Sequence, residues 1–432
     1  MDKELRIKKL QEIQADKENI YMTGIRIKYK GDPKIFNAYK IPLDYLIYNK
    51  HNGRIGSSVK SFEKQYRELN SEIEIDKKII EDFLWKSKAD RNKITMKSLV
   101  ENHQQRYGIV TNDGTIIDGN RRASLLNKIY TNRTSWIDKD VDHCQYFIAV
   151  ILPQGADKKE IIKLETSYQM GEDEKLDYNP IEKYLKCDDL VKAGFSAEDI
   201  SKMMAEKESK INEWLSIFKL MESYLDNFGY QGIYTRLEKR EGQFVDLNNY
   251  LTKYKKRTKT GASWGYTDSD VADLEVICFD YIRSQYEGKD FRNIAKTGNN
   301  ENASIFCNET IWKPFSQKHF EEVDNILEKP IQEIREEDPE GDLSRQLKER
   351  DELWKNTAHN VLENNLRYYT RKLEDSKESK EPLKLLKKAK DALNYIDTDI
   401  DCFYTKEAKE LIYEINSITY EFKKKLKSRV SS

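Results

Sequence analysis

The stretch Ile116-Ile117-Asp118-Gly119-Asn120-Arg121-Arg122-Ala123-Ser124-Leu125-Leu126 constrains the fold more than any other part of this 432-residue chain. Its apolar pair ends a strand, Asp118-Gly119 makes a turn, and Asn120 is expected to cap a helix carrying Ala123, Leu126 and Ile129. Upstream, Tyr107–Thr111 and Thr115–Ile117 flank Asn112-Asp113-Gly114, so the strand reads as the second arm of a β-hairpin. A strand–glycine–helix junction gathers free backbone N–H groups and the positive end of a helix dipole at one point. Two adjacent arginines there suit phosphate oxygens, which a guanidinium meets with paired donors. On the plainer reading Arg121 and Arg122 only solvate the first helical turn. Basic residues oppose the dipole at that end, a cost that a bound anion relieves. Asn52-Gly53-Arg54-Ile55-Gly56 adds a second arginine between glycines.

Residues 1–155 read as mixed α/β. Strand-like content spans Ile41–Ile47 and Gln145–Leu152, and helical stretches are expected from Val59 to Leu69 and around Ile79, Phe83 and Leu84. Beyond 155 strand signals nearly vanish. Asn179-Pro180-Ile181-Glu182 has the form of a helix start, with Glu182 in the capping-box position, and Ser196-Ala197-Glu198-Asp199 repeats the device. After a turn near Glu206-Lys207-Glu208, Ile211, Trp214, Leu215 and Phe218 mark one helical face, a core role for Trp214 being favoured over base stacking. Two helices joined by a tight turn outline a helix-turn-helix, although an ordinary helical hairpin has the same pattern. Residues 263–338 form another helical block, and the acidic run 335–338 with Pro339-Glu340-Gly341 reads as a linker. From 339 to 432 long helices or a short coiled coil are expected, broken near Ser376–Pro382 and able to pair as a homodimer or with a partner protein. The domain boundaries therefore fall at 155, 262 and 338.

Charge excludes several classes. Lys and Arg number 75 against 76 Asp and Glu, a net −1, so a nucleic-acid surface has to be a local patch. The run Lys253-Tyr254-Lys255-Lys256-Arg257-Thr258-Lys259 is such a patch, or a solvated loop. No stretch approaches the ~20 apolar residues of a membrane span, and Met1–Arg6 leads into no secretory core. The five cysteines lie far apart with no C-x-x-C pair, which fits reduced thiols and a cytoplasmic location.

Asp118-Gly119-Asn120-Arg121-Arg122 resembles the G-E-R-R box with which partition proteins of the ParB/sulfiredoxin superfamily grip nucleotide phosphates. The order of further features agrees. Ile41–Leu46 with Asn52-Gly53-Arg54 resembles the opening strand and first arginine of that fold. Glu165-Thr166-Ser167-Tyr168-Gln169 stands where the family has E-N-x-x-R. Leu176-Asp177-Tyr178-Asn179-Pro180-Ile181-Glu182 resembles D-L-N-P-I-E before a helix-turn-helix. The similarity covers about residues 36–225, and the chain departs from it at Asn120 (usually Glu), Thr166 and Gln169.

The resemblance implies an α+β chain: a ParB/sulfiredoxin-like α/β domain, a helix-turn-helix region and a long helical C-terminal region. It implies CTP or ATP with Mg²⁺ held by Arg54, Gly119, Asn120, Arg121, Arg122 and Gln169, and relatives in mobile elements and phage-defence islands. DNA would be met by Lys207, Ser209, Lys210 and Asn212 and by Lys253, Lys255, Lys256, Arg257 and Lys259. An NTPase, nuclease or small-molecule kinase is the alternative, with Asp118 and Glu165 as catalytic carboxylates, Glu165 as metal ligand and Asp113 in reserve. A non-catalytic interaction scaffold is the third reading.

Overall fold

Asp2 accepts hydrogen bonds from the amides of Glu4 (2.9 Å) and Leu5 (3.4 Å) and so starts helix α1 (Lys3–Ala15). In the computed structural model, which describes residues 1–171, 178–258, 261–298, 300–339 and 341–430, the chain is α+β. Leu176, Asp177 and Lys259 lie outside the described residues. Strands β1 (Ile20–Tyr29), β2 (Asp32–Pro42), β3 (Gly108–Val110), β4 (Ile116–Asp118) and β5 (Tyr146–Ile151) form a five-stranded sheet in the order β1-β2-β5-β3-β4. Neighbours are antiparallel except the parallel pair β3 and β5.

Up to Lys40 the long β1–β2 hairpin lies outside the expected strands, although Ile25, Ile27 and Tyr29 alternate with exposed Arg26 and Lys28. It turns at Lys30-Gly31, both at positive φ (54° and 87°), the conformation that matches a two-residue turn to strand twist. The strand expected over Ile41–Ile47 ends instead at Pro42, and Leu43–Tyr45 is a 3₁₀ turn. The hairpin at Asp113-Gly114 forms as expected, with Gly114 at φ 85°.

β5 is covered on both faces, which explains its unbroken apolar run. Phe147, Ala149 and Ile151 join a core with Ala123, Leu126 and Ile129 of α5 (Asn120–Thr131). Ile148 and Val150 join Ile25, Ile27 and Leu164 on the other side, Leu164 lying on α6 (Lys158–Thr166). Helices α2 (Gly56–Gln65), α3 (Glu74–Lys86) and α4 (Ala89–Asn102) lie between β2 and β3 in the chain. α2 starts and stops a few residues before the expected 59–69 span.

Every later element among the described residues is helical. Asn179 caps α7 (Pro180–Lys192) through the amide of Ile181. A full capping box between Ser196 and Asp199 opens α8 (Ala197–Met204), and Ala205 at φ 49° turns the chain into α9 (Glu208–Asn227), which is 20 residues long. Ile211, Trp214 and Phe218 are buried and Leu215 is half-buried. Then come α10 (Glu241–Lys255), α11 (Asp268–Arg283), α12 (Gly288–Ala295), α13 (Glu309–Val323) and α14 (Ile331–Glu337). Residues 335–337 are thus helical, so the acidic run is not a linker.

α15 (Leu343–Asn394) runs for 52 residues through Pro382, without the break expected at Ser376–Pro382. A proline in a helix removes one backbone bond at a cost of about 3 kcal/mol, a local penalty that adjoining turns offset. α16 (Lys406–Val430) follows. The chain forms two compact units, Met1–Leu366 and Arg367–Ser432, and the expected boundaries at 155, 262 and 338 all fall inside the first. Four cysteines are buried, Cys402 is exposed, and all five are free. Among the described residues no helix is long and apolar enough to cross a membrane.

Trp214 is 7% exposed and packs against the Tyr184 ring at 6.0 Å. Trp214→Ala is expected to lower unfolding free energy by ~3–5 kcal/mol, measured by denaturant titration. An unchanged midpoint would contradict the core role.

Candidate functional site

Gly119 adopts φ 99° at the N-terminus of α5. A Cβ there would lie 2.6 Å from the Phe147 ring, and one on Gly108 would lie 2.2 Å from it. The ring fills the space under both glycines, so the β4–α5 turn needs both a left-handed backbone and no side chain. Asn120, expected as the cap, is the first helical residue. Its buried amide instead accepts from the Asn49 backbone N–H (2.8 Å) and donates to the Ile116 carbonyl (3.1 Å), clamping the helix start to β4. Arg122 donates to the carbonyls of Arg106 (2.7 Å) and Tyr107 (3.0 Å) and lies 3.9 Å from the Asp118 carboxylate.

A second wall is built from the other side. The Arg54 guanidinium lies over the Tyr178 ring at 4.7 Å, a cation–π contact. The Tyr178 hydroxyl donates to Gln169 Oε1 (2.9 Å), and Gln169 Nε2 donates to the Ile117 carbonyl (2.9 Å). Gln169 sits in a π-helical turn, Ser167–Gly171, that continues α6. A relay therefore runs from β4 through Gln169 and Tyr178 to Arg54.

The two walls enclose a cavity of about 270 Å³. Arg54, Asp118, Gly119, Asn120, Arg121, Arg122 and Gln169, drawn from three separate stretches of sequence, all line it. The loop after α4 adds His103 and Arg106, which no sequence motif marks. Four arginines thus face one carboxylate, Asp118, beside the N-terminus of α5, and the net field favours an anion.

Glu165 is placed elsewhere. It is buried, with its carboxylate 3.1 Å from Lys186 Nζ; burial pushes its pKa up and Lys186 opposes that. It does not line the cavity, so a direct metal or catalytic role there does not fit its position. Asp113 takes the Thr111 hydroxyl (2.5 Å) and Lys3 (3.2 Å) in the hairpin turn, and Thr166 donates to the Ile162 carbonyl (2.8 Å). Among the described residues no three His, Cys, Asp or Glu side chains cluster as a metal cage.

Glu182 does not close a capping box on its own helix. Its carboxylate crosses to the N-terminus of α2, where it accepts from the Ser57 amide (3.2 Å) and hydroxyl (2.5 Å). Burial pushes its pKa up to about 7, against the pull of those hydrogen bonds.

Lys207, Ser209, Lys210 and Asn212 are exposed at the start of α9, with Lys210 2.9 Å from Glu213. Lys253, Lys255, Lys256 and Arg257 are exposed at the end of α10. Two of them are held by carboxylates, Lys255 by Glu275 (2.9 Å) and Arg257 by Asp268 (3.1 Å). Among known proteins, no family model, no curated protein and no solved structure matches the chain.

Two outcomes follow from this geometry. Gly119→Ala is expected to cost about 1–3 kcal/mol or more, since the left-handed backbone and the Phe147 ring both reject a methyl group; a variant as stable as wild type in urea would contradict that. For Glu182 the folded pKa, about 7, exceeds its ordinary value of 4.5. Its stabilising contribution is therefore complete below the ordinary value and is lost as pH rises through the folded one. Relative to Glu182→Gln, the wild type is expected to lose roughly 3 kcal/mol of unfolding free energy between about pH 4.5 and 8. Parallel stability–pH curves would contradict the assignment.

Proposed function

We propose that this protein binds a nucleoside triphosphate, CTP or ATP with Mg²⁺, at the N-terminus of α5 and works in association with DNA. The observation that carries the reading is the convergence of Arg54, Arg121 and Arg122 with Gly119 on one basic cavity. Guanidinium groups and a bare helix start are the donors that phosphate oxygens need. The resemblance of residues 118–122 to the phosphate-gripping box of the ParB/sulfiredoxin superfamily supports the same ligand. Asp118, which lines the same cavity, would hold Mg²⁺ together with phosphate oxygens, and the ion would supply charge neutralisation.

The DNA half of the proposal rests on the exposed polar residues at the start of α9, the end that a recognition helix presents to base edges. Lys253, Lys255, Lys256 and Arg257 would add phosphate contacts. In α16, exposed Leu411, Ile415, Ile418 and Phe422 are spaced as a coiled-coil seam, which supports pairing with a second copy. Hydrolysis or phosphoryl transfer is a second reading, and it rests on Asp118 beside the arginines.

The test is a calorimetric and thermal-shift comparison of nucleoside triphosphates with Mg²⁺ on wild type and Arg121→Ala. Ligand at 100 times its Kd is expected to add about 2.7 kcal/mol to wild-type stability. Arg121→Ala is expected to weaken binding at least about tenfold, through loss of charged hydrogen bonds. A wild type that responds to no triphosphate would contradict the proposal, and turnover that vanishes in Asp118→Asn would favour the enzymatic reading.

A further inference from the structure

A second, larger cavity of about 1240 Å³ lies between α2 and the turn Tyr234–Leu237, with the first turns of α15 also on its wall. Eight Lys or Arg and five Asp or Glu line it, so its field is also positive. Its charges are not evenly matched. Asp351 is shared by Arg236, Arg283 and the Tyr230 hydroxyl, which satisfies that carboxylate fully. Arg240 is 9% exposed and has no ion pair among the described residues; its Nη1 donates to the Arg236 carbonyl (2.8 Å). A buried cation without a counter-ion is costly in a folded protein.

Unmet donors sit on the same wall. Thr235 Oγ1, Arg236 Nε and Arg240 Nε are buried and have no hydrogen-bond partner among the described residues. The three belong to consecutive turns of chain, and Arg240 is already hydrogen-bonded to Arg236. Opposite them, α2 is held close by the bond from the Thr235 amide to Ser61 Oγ (3.1 Å), and one turn on, Gln65 Oε1 is a buried acceptor that also lacks a partner. Buried polar groups are normally satisfied, and these four unmet ones belong to residues that line a single cavity, which points to a ligand bound among those side chains.

We propose that this cavity is a second anion site, which takes the phosphate group of a small phosphorylated, hydroxyl-bearing molecule. Phosphate oxygens would accept from the guanidinium groups of Arg236 and Arg240 and from the Thr235 hydroxyl, and a ligand hydroxyl would donate to the Gln65 side-chain amide. The proposal stands independently of the nucleotide reading, although Arg54 lines both cavities.

The experiment uses the full chain carrying Arg121→Ala, so that the first cavity is weakened, with inorganic phosphate, glucose 6-phosphate and acetate as probes in thermal-shift titrations. Phosphate and glucose 6-phosphate are expected to raise the melting temperature, glucose 6-phosphate at lower concentration, with acetate nearly inert. Adding Arg240→Gln is expected to raise the apparent Kd about tenfold or more. Thr235→Val removes one hydroxyl without touching an ion pair; it is expected to weaken binding as well, and it carries the test if Arg240→Gln does not fold. Three results would overturn the proposal: a phosphate response abolished by Arg121→Ala alone, a response unchanged in both cavity variants, or no response to any probe.

Discussion

The carboxylate of Glu182 leaves its own helix and settles on the first turn of α2, where the Ser57 amide and hydroxyl bind it out of contact with bulk water. Two effects oppose each other there. Burial disfavours the charge, while the helix end and the hydroxyl favour it. The outcome, a pKa near neutrality, marks a contact that holds shape at some cost in stability. Through it α7 is fastened to the segment that immediately follows Arg54. The Arg54–Tyr178 stack joins the residues just before the starts of α2 and α7.

The two helix starts near Arg54 are resolved in opposite ways. At α2 the chain supplies its own hydrogen-bond acceptor, Glu182. At α5 the first turn carries Arg121 and Arg122, and the Phe147 ring beneath Gly108 and Gly119 forces a bare turn. A chain that satisfies one helix N-terminus internally and lines the other with cations has built different environments from the same backbone geometry. On the proposed reading, the α5 end is the one that receives an exogenous anion.

Much of this was legible in the sequence where a single residue type dictates local geometry. Asp113-Gly114 fixed a hairpin, Gly119 a strand-to-helix turn, and Ser196 with Asp199 a capped helix. Residues that work through tertiary contact were not legible. Glu182 fits a capping box by spacing, yet packing gives it a better partner on another helix. Asn120 caps nothing because its amide is needed between β4 and Asn49. His103 and Arg106 reach the cavity through tertiary contacts of their loop, which Arg122 ties to α5 and Gln104 ties to Ile148 of β5. The second half of β1 is legible, since buried Ile25, Ile27 and Tyr29 alternate with exposed Arg26 and Lys28; its first half and the start of β2, with no buried residue over Ile20–Gly24 or Asp32–Asn37, carry no such pattern. Glu165 lay in a motif position, but the fold pairs it with Lys186.

The most direct measurement is a crystal structure of the full chain grown with a nucleoside triphosphate and Mg²⁺. Phosphate density is expected at the first turn of α5, within hydrogen-bonding distance of Arg121 and the Gly119–Arg121 backbone, with Arg54 on the facing wall. Density confined to the larger cavity by Arg240, or an α5 N-terminus occupied only by water at saturating nucleotide, would contradict it.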